Sequence, residues 1–172
     1  GLWSVLRLSE DEVLKGSLLI TLYENLRWKT ISPQGFRDEM LAYLPNESNS
    51  LLFSMALSYL GDCQRIFPSD SRPLEEALWR IVTTNPVSQH RLQAFRLYRS
   101  IADSEEAVQR LYTLWQERKA PKDCALSESD YIGLSYILAI HLPEKADKII
   151  ATQLSRIQNP DRKKEYQFIS PS

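Results

Sequence analysis

Helical periodicity runs along nearly the whole chain, and strand-like alternation is almost absent. Leu52, Met55, Ala56, Tyr59 and Leu60 fall at i, i+3, i+4, i+7 and i+8. Leu74, Ala77, Leu78, Ile81 and Val82 repeat the spacing, as do Ala107, Val108, Leu111, Tyr112 and Trp115. Ala146, Ile149, Ile150, Leu154 and Ile157 follow it with one slip. At about 3.6 residues per turn each set is one apolar stripe, and a chain made of such stripes must bury helix against helix.

The helix starts are punctuated. Ser9 with Glu12 reads as a capping box, Ser32 precedes Pro33, and Ser71 stands just ahead of Pro73. Asn85 precedes Pro86, Ser104 precedes Glu105 and Glu106, and Ser127 lies three residues before Asp130. At the other end Asn159 precedes Pro160. Asn, Ser and Asp side chains accept from the orphan N–H groups of a first turn, and proline there sacrifices no hydrogen bond. The pattern predicts helices over 10–28, 33–44, 47–66, 72–84, 87–102, 104–118, 128–142 and 144–157, with another beginning at 160.

The starts at Ser9, Asn46, Asn85 and Ser127 lie 37, 39 and 42 residues apart, with a second helix between each pair. A two-helix period of ~40 residues predicts an all-α fold of antiparallel helix pairs, stacked in a HEAT/armadillo-like superhelix. An irregular helical bundle is the alternative, because no residue-level repeat signature accompanies the period. Tyr131 to Leu142 is apolar on nearly all sides, which suits a central helix packed on both faces.

The 172 residues suit one helical domain, 1–172, with room for a substantial core. Both ends read as cut. Gly1 opens straight into Leu2 and Trp3, and the helix after Asn159 has little room before Ser172, so the expectation is a domain excised from a larger protein. With 21 Lys and Arg against 22 Asp and Glu, the net charge of -1 offers no global attraction to nucleic acid. No apolar run approaches the ~20 residues of a membrane span. Cys63 and Cys124 make no disulfide framework.

The residues that carry chemistry elsewhere are sparse here. His90 and His141 are the two histidines, neither lies in HEXXH, and no Cys/His cluster has metal-ligand spacing. His90, followed by Arg91, is expected on an exposed helical face. His141 closes an apolar helix, where an imidazolium suits the negative dipole end. Five glycines leave little scope for a phosphate loop. Glu10, Asp11 and Glu12, like Glu105 and Glu106, favour a helix N-terminus. Arg91, Arg96, Arg99 and Arg110 make a basic region over two successive helices, readable as a solvated face or as contacts for an acidic partner or a carboxylate. Trp3, Trp28, Trp79 and Trp115 read as core.

Several segments, in order, resemble the C-terminal helical domain of the aminopeptidase-N-type (gluzincin) zinc metallopeptidases. They are Glu12-Val13 with Leu22-Tyr23-Glu24-Asn25, then Glu47 with Leu51 to Leu60, then Leu111-Tyr112-Thr113-Leu114-Trp115. Ala120-Pro121 and Leu126-Ser127-Glu128-Ser129-Asp130 follow, and most specific is Arg156-Ile157-Gln158-Asn159-Pro160-Asp161-Arg162 with Phe168 and Pro171. The resemblance implies a noncatalytic domain that caps the active-site cavity and limits the access of peptide substrates. In that family HEXXH and a downstream Glu hold zinc in a separate catalytic domain of the same polypeptide. The cofactor is therefore expected there and none in this chain, which would not be an enzyme alone. Some members lend a basic side chain to the carboxylate end of the substrate, and Arg162 is the candidate by position, with a role at a helix N-terminus, paired with Asp161 or a neighbouring turn, as its alternative. The family's tail continues into further helices, so an exposed apolar surface is expected near Tyr166 and Phe168. The other reading of the chain is a helical-repeat module that binds a peptide or partner protein, with Arg91, Arg96 and Arg99 as contacts.

Overall fold

The computed structural model describes residues 1–169, so Pro171 lies outside the described residues. The fold is all-α: ten α-helices make it 78% helical, with no strand among the described residues. Neighbouring helices pack on one another, as in helical-repeat folds. The chain divides into two compact units, Gly1–Ile101 and Ala102–Ser172.

The first unit holds α1 (Leu2–Leu8), α2 (Glu12–Arg27), α3 (Pro33–Tyr43), α4 (Ser50–Ile66), α5 (Arg72–Thr84) and α6 (Ser88–Ile101). Helix α4 packs on α2, α3 and α6, α5 packs on α6, and α1 sits on α2 and α3. The predicted stripes face this core: Leu52, Ala56 and Leu60 of α4 are buried, as are Leu74, Leu78, Ile81 and Val82 of α5. Full burial of each such Leu or Ile is worth about 1.5–3 kcal/mol against its exposed state.

The second unit holds α7 (Glu105–Glu117), α8 (Glu128–His141), α9 (Ala146–Arg156) and α10 (Pro160–Ile169). Helix α8 packs on both α7 and α9, which accounts for its apolar composition. The α7 stripe is buried throughout, from Ala107 to Trp115. The even-numbered helices α2, α4, α6 and α8 begin at Glu12, Ser50, Ser88 and Glu128, so the two-helix spacing read from the sequence is the spacing of the fold.

Most caps stand where the sequence places them. The Ser32 and Ser104 hydroxyls accept from Gly35 N–H and Ala107 N–H, and Ser127 with Asp130 makes a complete capping box. The Asn159 side chain accepts from Asp161 N–H and Arg162 N–H. Five expectations need correction. The cap of α2 is Asp11, which accepts from Val13 N–H and Leu14 N–H, while the Ser9 hydroxyl accepts from Asp11 N–H. Asn46 ends a short 3-10 turn, and Asn49 caps α4. Leu2–Leu8 forms a helix that the pattern did not predict: seven residues show too little of a period. Trp28 is 78% exposed, because it sits at the C-cap where α2 has already left the core. Tyr166 is buried, its ring stacked on Tyr136 and its hydroxyl 3.0 Å from Ser135 Oγ, so the exposed apolar surface of α10 belongs to Phe168 and Ile169.

Candidate functional site

Three features stand out when the polar groups are followed inward. The first is a buried cluster in the first unit. Glu47 follows the 3-10 turn, and its carboxylate accepts from the Tyr43 hydroxyl, from Lys15 Nζ at 3.1 Å and from Asn49 N–H at 2.9 Å. Burial alone would raise this carboxyl, but the three donors outweigh it and hold it below the ordinary carboxylate value. Burial and the nearby Glu47 push the Tyr43 hydroxyl well above the usual phenol range. His90 lies beside the cluster. It is fully buried, contrary to the exposed face expected, because it occupies an inward position of α6. Its ring stacks on Phe53 at 4.0 Å, and Nε2 is 3.2 Å from Ser50 Oγ. Burial lowers its pKa, with Glu47 opposing. Tyr43, Lys15 and Asn49 each direct a donor at Glu47, whereas His90 Nδ1 is buried without a hydrogen-bond partner among the described residues.

The second is an open hollow of about 340 Å³ between the ends of α3 and α5. Leu41, Ala42, Ala77 and Ile81 form its apolar wall and Arg80 its edge. It carries no convergent set of polar groups.

The third is a polar pocket of about 200 Å³ in the second unit, built where α7 ends, α8 begins and α9 ends. Arg118 closes α7 in the left-handed conformation, at φ 53 and ψ 41, while Lys119 N–H returns to Leu114 O. An arginine in this conformation costs about 1–2 kcal/mol against a right-handed one. Arg156, at the end of α9, donates from Nη1 to Trp115 O at 2.8 Å and from Nη2 to Gln116 O at 2.9 Å, so it caps the carbonyl end of α7. Its guanidinium also lies over the Trp115 ring, 4.9 Å from the centroid. Burial and the repulsion of Arg118 together lower the Arg156 pKa. Gln153 is 2% exposed, and its Oε1 accepts from Trp115 Nε1–H at 2.8 Å. Tyr131 shares the wall with Leu126, Glu128 and Gln158; burial raises its hydroxyl, and Arg118 and Arg156 both pull it down.

One acid, Glu128, lines this pocket. Glu128 accepts from Gln158 N–H at 3.0 Å and from Arg162 Nη1 at 3.4 Å, which keeps its carboxyl below the ordinary value. Arg162 is thereby placed: its guanidinium pairs with Glu128 rather than with Asp161, and its N–H is capped by Asn159. The structure brings Arg162 to the border of the pocket through Glu128.

The other basic candidates lie elsewhere. Arg91, Arg96 and Arg99 all stand on α6, and at about 100° per residue they fan over about 140° of its circumference rather than sharing one line. Arg91 donates from Nε to Asn85 O and so ties the α5–α6 turn. Arg96 is exposed, and Arg99 is partly covered.

Arg118, Tyr131 and Gln153 carry no motif in the sequence that marks them as site residues. One signal was present. Gln153 occupies the buried slot four residues after Ile149, which is the slip in the last apolar stripe. A polar residue in a stripe position marks a buried hydrogen bond. Among the described residues no helix is long and apolar enough to cross a membrane. In comparison with known proteins, no protein family, no curated protein and no solved structure matches the chain.

Proposed function

We propose that this chain is the noncatalytic helical domain of a zinc aminopeptidase of the aminopeptidase-N type. It caps the active-site cavity of the neighbouring catalytic domain and limits which peptides enter. The observation that carries the reading is the ordered set of family-like segments and where they fall. Leu111 to Trp115 lies on α7, Leu126 to Asp130 spans the capping box of α8, and Arg156 to Arg162 is the α9–α10 junction. Helix junctions carry the hydrogen bonds that set one helix against the next, so likeness there bears on architecture more than likeness along an exposed face.

In this role the chain acts by position. A rigid helical wall excludes folded proteins and holds a peptide in register, while zinc, held by the catalytic domain, supplies the hydrolytic chemistry. No residue of this chain is assigned to that metal. The test is the coding DNA upstream of Gly1. An open frame with HEXXH and a downstream Glu is the expected result, together with no zinc-dependent release of N-terminal residues by the purified chain. An upstream domain without zinc ligands refutes the proposal. The helical-repeat module is then the better account, and replacement of the exposed Arg96 by Ala should weaken its partner capture without changing thermal unfolding.

A further inference from the structure

We infer that the pocket between the ends of α7 and α9 and the start of α8 binds a small oxyanion group, a carboxylate or a phosphate. The inference rests on the pocket's own donors and does not depend on the peptidase reading. Its wall brings two guanidinium groups close enough for Arg118 to repel Arg156. Neither is neutralised there. Arg118 has no ion pair or side-chain hydrogen bond among the described residues, and Arg156 spends two donors on backbone carbonyls that carry no full charge. The acid in the lining is already committed, since Glu128 accepts from Gln158 N–H and pairs with Arg162. The pocket therefore holds an excess of positive charge in a partly desolvated place, which an anion would offset.

The neutral groups point the same way. Gln153 is 2% exposed and lines the cavity, its carbonyl oxygen is taken by Trp115, and its amide nitrogen has no partner among the described residues. The residue lines the pocket, so this N–H₂ can donate to a group held there. The Tyr131 hydroxyl, on the same wall, also has no hydrogen-bond partner among the described residues. Two arginines, an amide N–H₂ and a phenol O–H give the lining four donor side chains, against the one carboxylate of Glu128, which is already paired. A pocket of about 200 Å³ admits a phosphate or the terminal carboxylate of a peptide. The geometry of α7 aims the set: the left-handed turn at Arg118 ends the helix beside the carbonyls that Arg156 caps.

The test is an NMR titration of the whole chain, following the Gln153 side-chain amide and the Trp115 indole N–H. Three probes are added in turn: inorganic phosphate, N-acetyl-Gly-Gly with a free carboxylate, and the same dipeptide as its amide. Saturable shifts with either anion and none with the amide are expected, and the tighter of the two anions identifies the natural source of the group. Arg118→Ala should weaken binding by roughly tenfold or more, the loss of a hydrogen bond to a charged group. Arg118 is exposed, so this variant should fold as the parent does, checked by circular dichroism. Tyr131→Phe, which keeps the ring, should weaken binding by a smaller factor. Absence of saturable shifts with both anions overturns the inference, as does binding that Arg118→Ala leaves unchanged or binding of the amide equal to that of the acid.

Discussion

Glu47→Gln is the substitution that most directly tests how the first unit is held together. The wild-type carboxylate is 4% exposed and accepts from three donors: the Tyr43 hydroxyl, Lys15 Nζ and Asn49 N–H. Gln keeps the volume but replaces one acceptor oxygen by a donor. Its N–H₂ must then face the Tyr43 hydroxyl, the Lys15 ammonium or the Asn49 N–H, and at least one of them loses its partner. An unsatisfied buried donor costs about 1–3 kcal/mol. Lys15 also loses its counter-charge, and breaking one side of a buried pair costs about 3–5 kcal/mol. The Lys15 side chain is 16% exposed and can turn partly to water, which places the expected loss near the lower bound, about 3 kcal/mol. Urea unfolding followed by circular dichroism near pH 7 measures it. The double variant Lys15→Met/Glu47→Gln removes both charges, so its cost should fall short of the sum of the single variants by about 1–2 kcal/mol. A Glu47→Gln loss below about 1 kcal/mol, or strict additivity with Lys15→Met, refutes the view that this cluster is a coupled buried network.

Acid should loosen the first unit in two stages. Burial lowers the folded-state pKa of His90, so below about 6.5 the unfolded chain binds a proton that the folded chain refuses, and stability declines as pH falls toward the lowered value. Glu47, whose folded pKa is also lowered, adds stability above its unfolded value that is lost as pH falls through its folded one. Urea midpoints from pH 8 down to ~2 should thus fall first near ~6.5, and His90→Phe should flatten that first stage but leave the second. Lys29→Gly should stabilise the chain by about 0.5–1 kcal/mol, because Lys29 sits at φ 62 after the end of α2, where glycine avoids the side-chain clash; an unchanged or lower midpoint would show that the turn carries no strain. Ser127→Ala should cost about 1 kcal/mol by removing half of the α8 capping box, and a loss under ~0.3 kcal/mol would show that Asp130 alone suffices.

What the sequence showed and what it hid divide along the range of the interactions. Stripes, caps and the two-helix spacing depend on residues within a turn or two of each other, so Ser32, Ser104, Ser127 and Asn159 could be read as helix starts directly. The same local reading set α2 to begin at Ser9, where an Asx cap from Asp11 competes and wins by reaching two N–H groups instead of one. The polar neighbour Arg91 points to solvent for His90, but the structure buries it. Its burial is decided by Phe53 and Ser50, some forty positions earlier in the chain. Range also separates the two polar assemblies. Around Glu47 the carboxylate meets a counter-charge from Lys15 and donors from Tyr43 and Asn49. Around Arg118 the charges are less even: the helix ends bring together Arg118, Tyr131, Gln153 and Arg156, and Glu128, the acid in the same lining, is already paired with Arg162. No single stretch of sequence shows that imbalance, since its members come from three helix ends. Stability alone gives no reason to place a second cation beside Arg156, whose capping of Trp115 O and Gln116 O is complete without it. A site left short of negative charge in the free molecule is the arrangement from which anion affinity follows, because a bound anion relieves the repulsion and supplies the missing acceptor together.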